Sequence, residues 1–284
     1  MANLKEIRNR IVSVSSTMQI TSAMKMVSAA KLKKAQDAIT AMRPYANKLT
    51  ELLQNLSATL DADSGSKYSE QRDVKNVLIV AITSNRGLCG AFNSNIIKRA
   101  TAVAESYDAK VSIVAIGKKA NDALSKNFKV ISNQSPVFDD LTFANVSVIA
   151  EMLMEQFESN AFDKIEVIYN KFKNAATQEI MTEQFLPIEP LEGDTNANLD
   201  YIFEPSKEEI VETLIPKSLK TQLYKSIRDS FASEHGARMT AMHKATDNAT
   251  ELRDQLKLTY NKARQASITN EILEIVGGAE ALAG

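Results

Sequence analysis

The sequence lacks the several cysteines whose disulfides stabilise many small extracellular proteins. It contains one cysteine, Cys89, no tryptophan, nine glycines and six prolines in 284 residues. A single cysteine excludes an intramolecular disulfide and favours a reducing compartment. The 34 Lys and Arg residues nearly balance 35 Asp and Glu, so no global basic field predicts nucleic-acid binding.

The sequence also lacks a long hydrophobic run. No apolar segment approaches the roughly 18 residues that are needed to span a bilayer. The first ten residues, MANLKEIRNR, are charged and patterned from the start, which argues against a signal or transit peptide. We therefore expect any attachment to a membrane to be made through a partner protein.

The scarcity of glycine and proline leaves a long helical pattern at the N-terminal end, residues 1–62. Mostly apolar residues recur at alternating steps of three and four, which is typical of a coiled-coil seam. The seam from Leu4 to Leu60 is roughly 85 Å long at 1.5 Å per residue. Pro44 lies inside the pattern and is interpreted as a bend, because the seam continues in phase beyond it. The seam positions are Leu4, Ile7, Ile11, Val14, Met18, Thr21, Lys25, Ser28, Leu32, Ala35, Ile39, Met42, Ala46, Leu49, Leu53, Leu56 and Leu60.

A second helical pattern covers residues 206–284. Its start, SKEE at 206–209, has the spacing of a capping box, and Pro216 is the one expected kink. Two seams in one chain predict an antiparallel coiled coil folded on itself. The predicted seam positions of this second helix are Met242, Ala245, Ala249, Leu252, Leu256, Thr259, Ala263, Ala266, Asn270 and Leu273.

The middle of the chain, residues 70–195, predicts a Rossmann-like α/β domain. Segments rich in β-branched residues alternate with helical ones, as in a doubly wound unit. Turn-rich stretches at 61–73 and 192–200 are predicted linkers. The fold class is thus α/β with a long antiparallel coiled coil. The predicted strands are 74–84, 110–116, 129–132 and 164–172, and the predicted helices are 92–106, 118–126 and 143–158.

The turn TSNRGLCGAFN at 83–93 is the one candidate for a phosphate-binding loop. It follows a predicted buried strand and opens a helix, where α/β proteins bind phosphate. However, Gly87 and Gly90 do not form GxGxxG or GxxxxGK[ST], and no lysine follows them. A structural turn is therefore favoured over a nucleotide site, and we predict no cofactor.

Few other residues suggest chemistry. Cys89 has no histidine within its predicted domain to activate it, so a packing role is favoured. His235 and His243 lack the partners of a zinc site and are predicted to be solvated helix positions. No group of residues has the pattern of an acid–base catalytic site, so the chain is predicted not to be an enzyme. A basic cluster, Lys31, Lys33 and Lys34, indicates either a solvated face or contact with an acidic protein.

Four segments resemble signature stretches of one family, the ATP synthase gamma subunits. They are ITSAMKMVSAAKLKKAQ at 20–36, SNRGLCGAFN at 84–93, ASEHGARMTAMHKATDNA at 232–249 and YNKARQASITNEILEIVGGAEAL at 260–282. The resemblance implies a non-catalytic rotor shaft of a proton-translocating F-type ATP synthase. Its coiled coil is then inserted in a ring of alpha and beta subunits, with the α/β domain against the epsilon subunit and the c ring. It also implies a peripheral position on the cytoplasmic face of a bacterial plasma membrane.

The resemblance carries over to single residues. It implies that Met24 faces the lever region of beta and that the three clustered lysines face an acidic segment there. Lys25 departs from the family, in which many relatives carry Glu. Polar contacts with beta are implied for Glu234, Arg238, Gln265 and Thr269, and contacts with the c ring for Tyr201, Phe203 and Glu204.

Two other classes stay open on the residues alone. An α/β nucleotide-binding enzyme with helical arms would bind nucleotide as an isolated chain, and a coiled-coil scaffold would form a homodimer. The C-terminal stretch ILEIVGGAEALAG carries apolar residues all round the helix, which predicts enclosure by another protein. We expect the N-terminal helix to have ended before this stretch, because the C-terminal helix is roughly 20 residues longer.

Overall fold

The computed structural model describes residues 4–57, 67–188 and 207–283. The chain divides into two compact units, one formed by residues 1–28 and 239–284 and the other by residues 29–238. We call the first the coil unit and the second the foot unit. The elements in chain order are α1 (Leu4–Ser57), β1 (Asn76–Ile82), α2 (Phe92–Ser106), β2 (Lys110–Ile116), α3 (Lys118–Leu124), β3 (Lys129–Asn133), a 3-10 turn (Ser135–Phe138), α4 (Phe143–Glu158), β4 (Lys164–Phe172), β5 (Gln178–Leu186) and α5 (Lys207–Ala283).

A five-stranded sheet forms the centre of the foot unit. Its strand order is β3-β2-β1-β4-β5, with β1 to β4 parallel and β5 antiparallel to β4. The central strand β1 reads NVLIVAI, a continuous apolar run of the kind that parallel strands need when both faces are covered. Every residue of 77–82 is fully buried. The predicted α/β class is confirmed.

Helices cover both faces of this sheet. On one face, α2 and α3 pack through Ile96, Ala100 and Leu124. On the other face, α4 packs together with the first part of α5. Leu219, Leu223 and Ile227 of α5 are at most 3% exposed, so this part of the helix belongs to the core of the foot.

The predicted elements of the foot agree with the structure at most positions. The bounds of β2, β4, α2 and α4 are those predicted, and β1 and α3 are shorter by a few residues. The strand β5, Gln178–Leu186, was not predicted. Its sequence, QEIMTEQFL, mixes polar and apolar residues because this edge strand is half-buried. Much of the predicted linkers, and the capping residue Ser206, lie outside the described residues.

The seam predicted for α1 is confirmed. Every seam position from Leu4 to Leu49 is buried or half-buried, and the helix continues past Pro44 to Ser57. Within the coil unit, Thr21 Oγ1 lies 2.8 Å from Thr246 Oγ1 of α5. Met18, earlier on α1, contacts Arg253, later on α5, so the described helices of this unit pair antiparallel within one chain. The side chains of Leu53, Leu56 and Leu60 lie outside the described residues.

The seam predicted for α5 is correct at some positions and wrong at others. The predicted positions that are buried or half-buried are Met242, Ala245, Ala249, Leu256 and Ala263. Leu252 is 40% exposed, and Thr259 and Ala266 are exposed too. The predicted positions step by three and then four residues from Met242, whereas the buried positions step by four and then three. Polar residues fill alternate positions of the observed seam. Arg253, for example, donates through Nη1 to Met18 Sδ at 3.4 Å. The buried or half-buried seam is Met242, Thr246, Ala249, Arg253, Leu256, Tyr260, Ala263 and Ser267.

The seam of α5 ends at Ser267. Each position from 268 to 281 is exposed, including the predicted seam residues Asn270 and Leu273. Since α1 is described from Leu4 onward and pairs antiparallel, its described residues reach no further along α5. The expectation that α5 outlasts its partner holds for the described part of the chain.

Candidate functional site

The turn after β1 was the sequence's one candidate for a ligand site. It runs from Ser84 to Gly90 and leads into α2. Leu88 and Gly90 have positive φ angles of 61° and 59°. The backbone carbonyls of Arg86 and Gly87 accept hydrogen bonds from Arg238 of α5, at distances of 3.1 to 3.3 Å. A guanidinium thus fills the side of the turn, which favours the structural interpretation.

Cys89 is part of this turn, and its side chain is buried. It is 1% exposed, and its Sγ accepts a hydrogen bond from Asn93 Nδ2 at 3.2 Å. Burial raises the pKa of the Cys89 thiol, against a smaller opposing effect of the Ser84 hydroxyl and the Arg238 charge. A raised pKa and a buried sulfur are typical of a packing residue, because nucleophilic cysteines are exposed thiolates.

Glu234 and Arg238, both predicted partner contacts, come together on one face of α5. Each is 8% exposed, and Arg238 Nη1 donates to Glu234 Oε1 at 2.7 Å. Burial raises the pKa of Glu234, and the Arg238 charge opposes this shift. Both side chains therefore have partners within the chain's own foot unit.

His235 is not the solvated position that the sequence predicted. It is 5% exposed, and its ring packs edge-on against Phe231 with centroids 4.5 Å apart. Burial lowers its pKa to about 4, and the positive charges of Arg238 and Lys31 contribute. The prediction failed because it placed all of this helix outside the α/β core. His243 is exposed, as predicted, 3.5 Å from Asp247.

The remaining predicted contact residues lie on the coil unit. Met24 is half-buried, while Gln265 and Thr269 are exposed one turn apart on α5. The Thr269 hydroxyl donates to the Gln265 carbonyl at 2.9 Å. Lys25, the departure from the family pattern, has its Nζ 3.4 Å from His243 Nδ1. Tyr201, Phe203 and Glu204 lie outside the described residues.

The described helices also carry exposed apolar side chains. At the end of α5, Ile272, Leu273, Ile275 and Val276 are 49–71% exposed, as the sequence predicted. A second set on α1 was not predicted, although its members are recognisable as apolar residues that lie off the seam. These are Val12, Ile20, Met26 and Val27, all at least 57% exposed.

The basic cluster of α1 faces solvent in the described chain. Lys31, Lys33 and Lys34 are all exposed. Among the described residues, no group of three or more His, Cys, Asp or Glu side chains could hold a metal ion. None of the described helices is long and apolar enough to cross a membrane.

Comparison with known proteins identifies the family. A family model described as ATP synthase matches residues 3–282. The chain is 76% identical to the ATP synthase gamma chain of Flavobacterium psychrophilum and 75% identical to that of Flavobacterium johnsoniae, with 100% of both chains covered in each case.

Solved structures agree with this assignment. A chain in the central stalk and c-ring structure of Tetrahymena thermophila mitochondrial ATP synthase aligns with a TM-score of 0.61 and 26% identity. The alignment covers 80% of this chain and 99% of that one. A chain of the Euglena gracilis mitochondrial ATP synthase shares the fold, with a TM-score of 0.71 at 23% identity, covering 98% of this chain and 94% of that one. The chain belongs to the ATP synthase gamma chain family.

Proposed function

We propose that the chain is the central rotor shaft of a proton-translocating F-type ATP synthase, and that it transmits torque between the c ring and the alpha/beta head. Its partners in this proposal are the alpha, beta and epsilon subunits and the c ring. These partners hold it at the cytoplasmic face of a bacterial plasma membrane. The observation that carries the proposal is the end of α5, residues 268–281, which is exposed at every position and rich in large apolar side chains.

A helix that is apolar on several sides is stable in water only when another surface encloses it. The described part of α1 does not supply that surface, because the seam ends at Ser267. A ring of partner subunits would enclose the helix without requiring a fixed orientation. A Cβ added at Gly277 or Gly278 would meet no neighbouring atom within 4 Å, and these two positions carry no side chain that would resist turning.

The two-helix seam is suited to carrying torque. Side chains of α1 and α5 interlock along the coil unit, which stiffens the pair against bending and twisting. Exposed polar groups at Gln265 and Thr269 are available to bind beta. The exposed lysines at 31, 33 and 34 suit an acidic segment of the same subunit, because opposite charges steer and orient such contacts.

The shaft itself is proposed to be non-catalytic. Three observations support this: the turn after β1 is capped by Arg238, Cys89 is buried, and His235 is buried and neutral at physiological pH. Catalysis then belongs to the beta subunits. Rotation of an asymmetric shaft would bias each of them in turn through different contacts.

A reversible cross-link tests the proposal. In the assembled complex, a disulfide between Gln265→Cys and a cysteine on the facing beta subunit should stop ATP hydrolysis, and reduction should restore it. Gln265→Ser, treated with the same oxidant, is the control because it lacks the thiol. Undiminished hydrolysis in a fully cross-linked complex would refute the rotor proposal.

A further inference from the structure

A cavity of about 470 Å³ lies in the foot unit, beside the first residues of β2 and β3. Lys110 begins β2 and Lys129 begins β3, and both line the cavity. The turn from Ser84 to Gly90 follows β1, so it lies at the opposite ends of the parallel strands. The volume is that of a small-molecule site, and the cavity is separate from the contacts made at that turn.

The strand register places a buried hydroxyl in this cavity. Ser112 pairs with Leu78 of β1 and with Lys129 of β3, and Leu78 packs on the side of the sheet that α4 covers. Since register partners in a parallel sheet face the same side, Ser112 faces α4 as well, and so does Lys110, two residues earlier. Ser112 is 4% exposed, and its hydroxyl has no hydrogen-bond partner among the described residues. A buried hydroxyl normally has one, so this hydroxyl is available to a ligand.

Two lysines stand at the exposed side of the cavity. Lys110 and Lys129 are exposed, and neither forms an ion pair with a residue that the structure describes. No carboxylate is among the described residues of the lining. The adjacent carboxylate of Asp163 accepts hydrogen bonds from the Lys75 and Asn76 amides, at 2.9 and 2.8 Å, and is thus held by the main chain. The charge of the lining is therefore positive, which favours an anion.

The other side chains of the lining indicate which anion fits. Asn76 and Gln156 add side-chain amides, which form no hydrogen bond within the described part of the chain. A phosphate group has three acceptor oxygens and can use two lysines and several neutral donors at once, whereas a carboxylate has two. A single phosphate fills only part of 470 Å³, so the ligand also has an organic part. Part of the wall is apolar and is formed by Ile131, Met152 and Phe162.

We propose that this cavity binds a phosphate monoester, with the phosphate group between Lys110 and Lys129 and the organic part against the apolar wall. The Ser112 hydroxyl donates a hydrogen bond to a phosphate oxygen. This inference goes beyond the rotor function and does not depend on it, because the cavity lies within the foot unit alone. A phosphate monoester occurs both in small soluble molecules and in the headgroup of phosphatidic acid, and the two sources require separate probes.

Calorimetry on the isolated full-length chain tests the site with defined soluble probes. Phenyl phosphate should bind at one site per chain. Inorganic phosphate should bind about tenfold more weakly, because it cannot use the apolar wall, and phenol should show no binding because it lacks the phosphate group. Equal or tighter binding of inorganic phosphate would overturn the assignment of a monoester.

Vesicles distinguish the two sources of the phosphate. The chain should be mixed with vesicles of phosphatidic acid in phosphatidylcholine, and with phosphatidylcholine alone, and then sedimented. Binding of phenyl phosphate without sedimentation assigns a soluble ligand. Sedimentation only with phosphatidic acid, lost in Lys110→Gln, assigns the same chemistry to a lipid headgroup. Failure of both phenyl phosphate and phosphatidic acid to bind overturns the proposal.

Three substitutions test the residues that the proposal names. Lys110→Gln and Lys129→Gln should each weaken binding about tenfold, because each removes a charge-assisted hydrogen bond. Ser112→Ala should weaken it by about the same factor. Since the Ser112 hydroxyl has no partner among the described residues, Ser112→Ala should not lower the urea midpoint of the isolated chain. Unchanged affinity in all three variants, or a lower midpoint in Ser112→Ala, would overturn the proposal.

The matched control is Lys98→Gln. Lys98 is also an exposed lysine of the foot unit, but it lies on α2, which covers the other face of the sheet. Its replacement changes the net charge of the chain as the other two lysine substitutions do, and it should leave the affinity for phenyl phosphate unchanged. If Lys98→Gln weakens binding equally, the probe is attracted by the overall charge of the foot and the proposed site fails.

Discussion

The foot unit and the coil unit bury their side chains to very different extents. In the foot, all six residues of 77–82 are fully buried, and helices cover both faces of the sheet. In the coil, every position of 268–281 is exposed. The sheet of the foot has both apolar faces covered by helices of the same chain, whereas the end of α5 leaves its large apolar side chains uncovered. Substitutions in the foot should therefore change folding, and substitutions in the coil should change interactions with partners.

The largest expected difference between the two units is in the effect of replacing a glycine by alanine on the free energy of unfolding. A Cβ at Gly117, whose φ is 111°, would lie 2.2 Å from Thr83 O. Gly117→Ala should therefore lower the free energy of unfolding by more than about 4 kcal/mol. Gly277→Ala, in the exposed part of α5, meets no neighbouring atom within 4 Å and should favour the helix by about 1 kcal/mol. Urea unfolding of the isolated chain measures both, and equal midpoints would contradict the contrast.

Two leucines extend the comparison to apolar burial. Leu153 of α4 is fully buried and Leu273 of α5 is 63% exposed. Leu153→Ala should lower the free energy of unfolding by about 3 kcal/mol, while Leu273→Ala should change it by less than about 0.5 kcal/mol. In the assembled complex, Leu273→Ala should leave ATPase activity largely intact, because enclosure of the tip needs no single contact. A large loss of activity would indicate specific recognition of Leu273.

The two histidines test the same contrast through pH. The pKa of His235 falls from 6.5 to about 4 in the folded chain, so the unfolded chain binds the proton first as pH falls. The contribution of His235 to the free energy of unfolding is fully present above pH 6.5. It decreases as pH falls towards 4, by up to about 3 kcal/mol. The stability of His235→Gln should vary less with pH across this range, whereas replacement of exposed His243 should leave the dependence unchanged. The measurement is urea unfolding at a series of pH values.

The smallest expected effect on folding is at Gln265. Its side chain is exposed on the coil unit, so Gln265→Ala should change the free energy of unfolding by no more than about 0.5 kcal/mol. ATP synthesis by the assembled complex should nevertheless fall if Gln265 makes the proposed polar contact with beta. A clear loss of melting temperature in the isolated chain would instead place Gln265 in the internal packing.

How far the sequence predicts the structure depends on what fixes each element. The strands β2 and β4 were predictable because short runs rich in β-branched residues occur there. The seam of α1 was predictable because apolar residues recur with the period of a coiled-coil helix. On α5, the polar residues Thr246 and Arg253 occupy seam positions. A search for recurring apolar residues does not assign them to the seam. Their burial is decided by the register of the two helices, which no local pattern contains.

The candidate site was predictable in its members but not in their arrangement. Glu234 and Arg238 were recognised by resemblance, yet their pairing with each other and with the Ser84–Gly90 turn depends on α5 packing on the sheet. The burial of His235 has the same origin. Contacts between segments about 150 residues apart follow from the topology, and a single sequence does not reveal them.

The hydrogen bond between Thr21 and Thr246 also constrains how the chain folds. These residues are 225 positions apart, so closing the seam requires a very long loop to form first, at a cost in chain entropy. The parallel strands of the foot are made from nearer segments and can pair at a lower cost in chain entropy, although the first part of α5 is needed to complete their core. Residues 4–28 therefore gain their seam partner only after α5 has been synthesised.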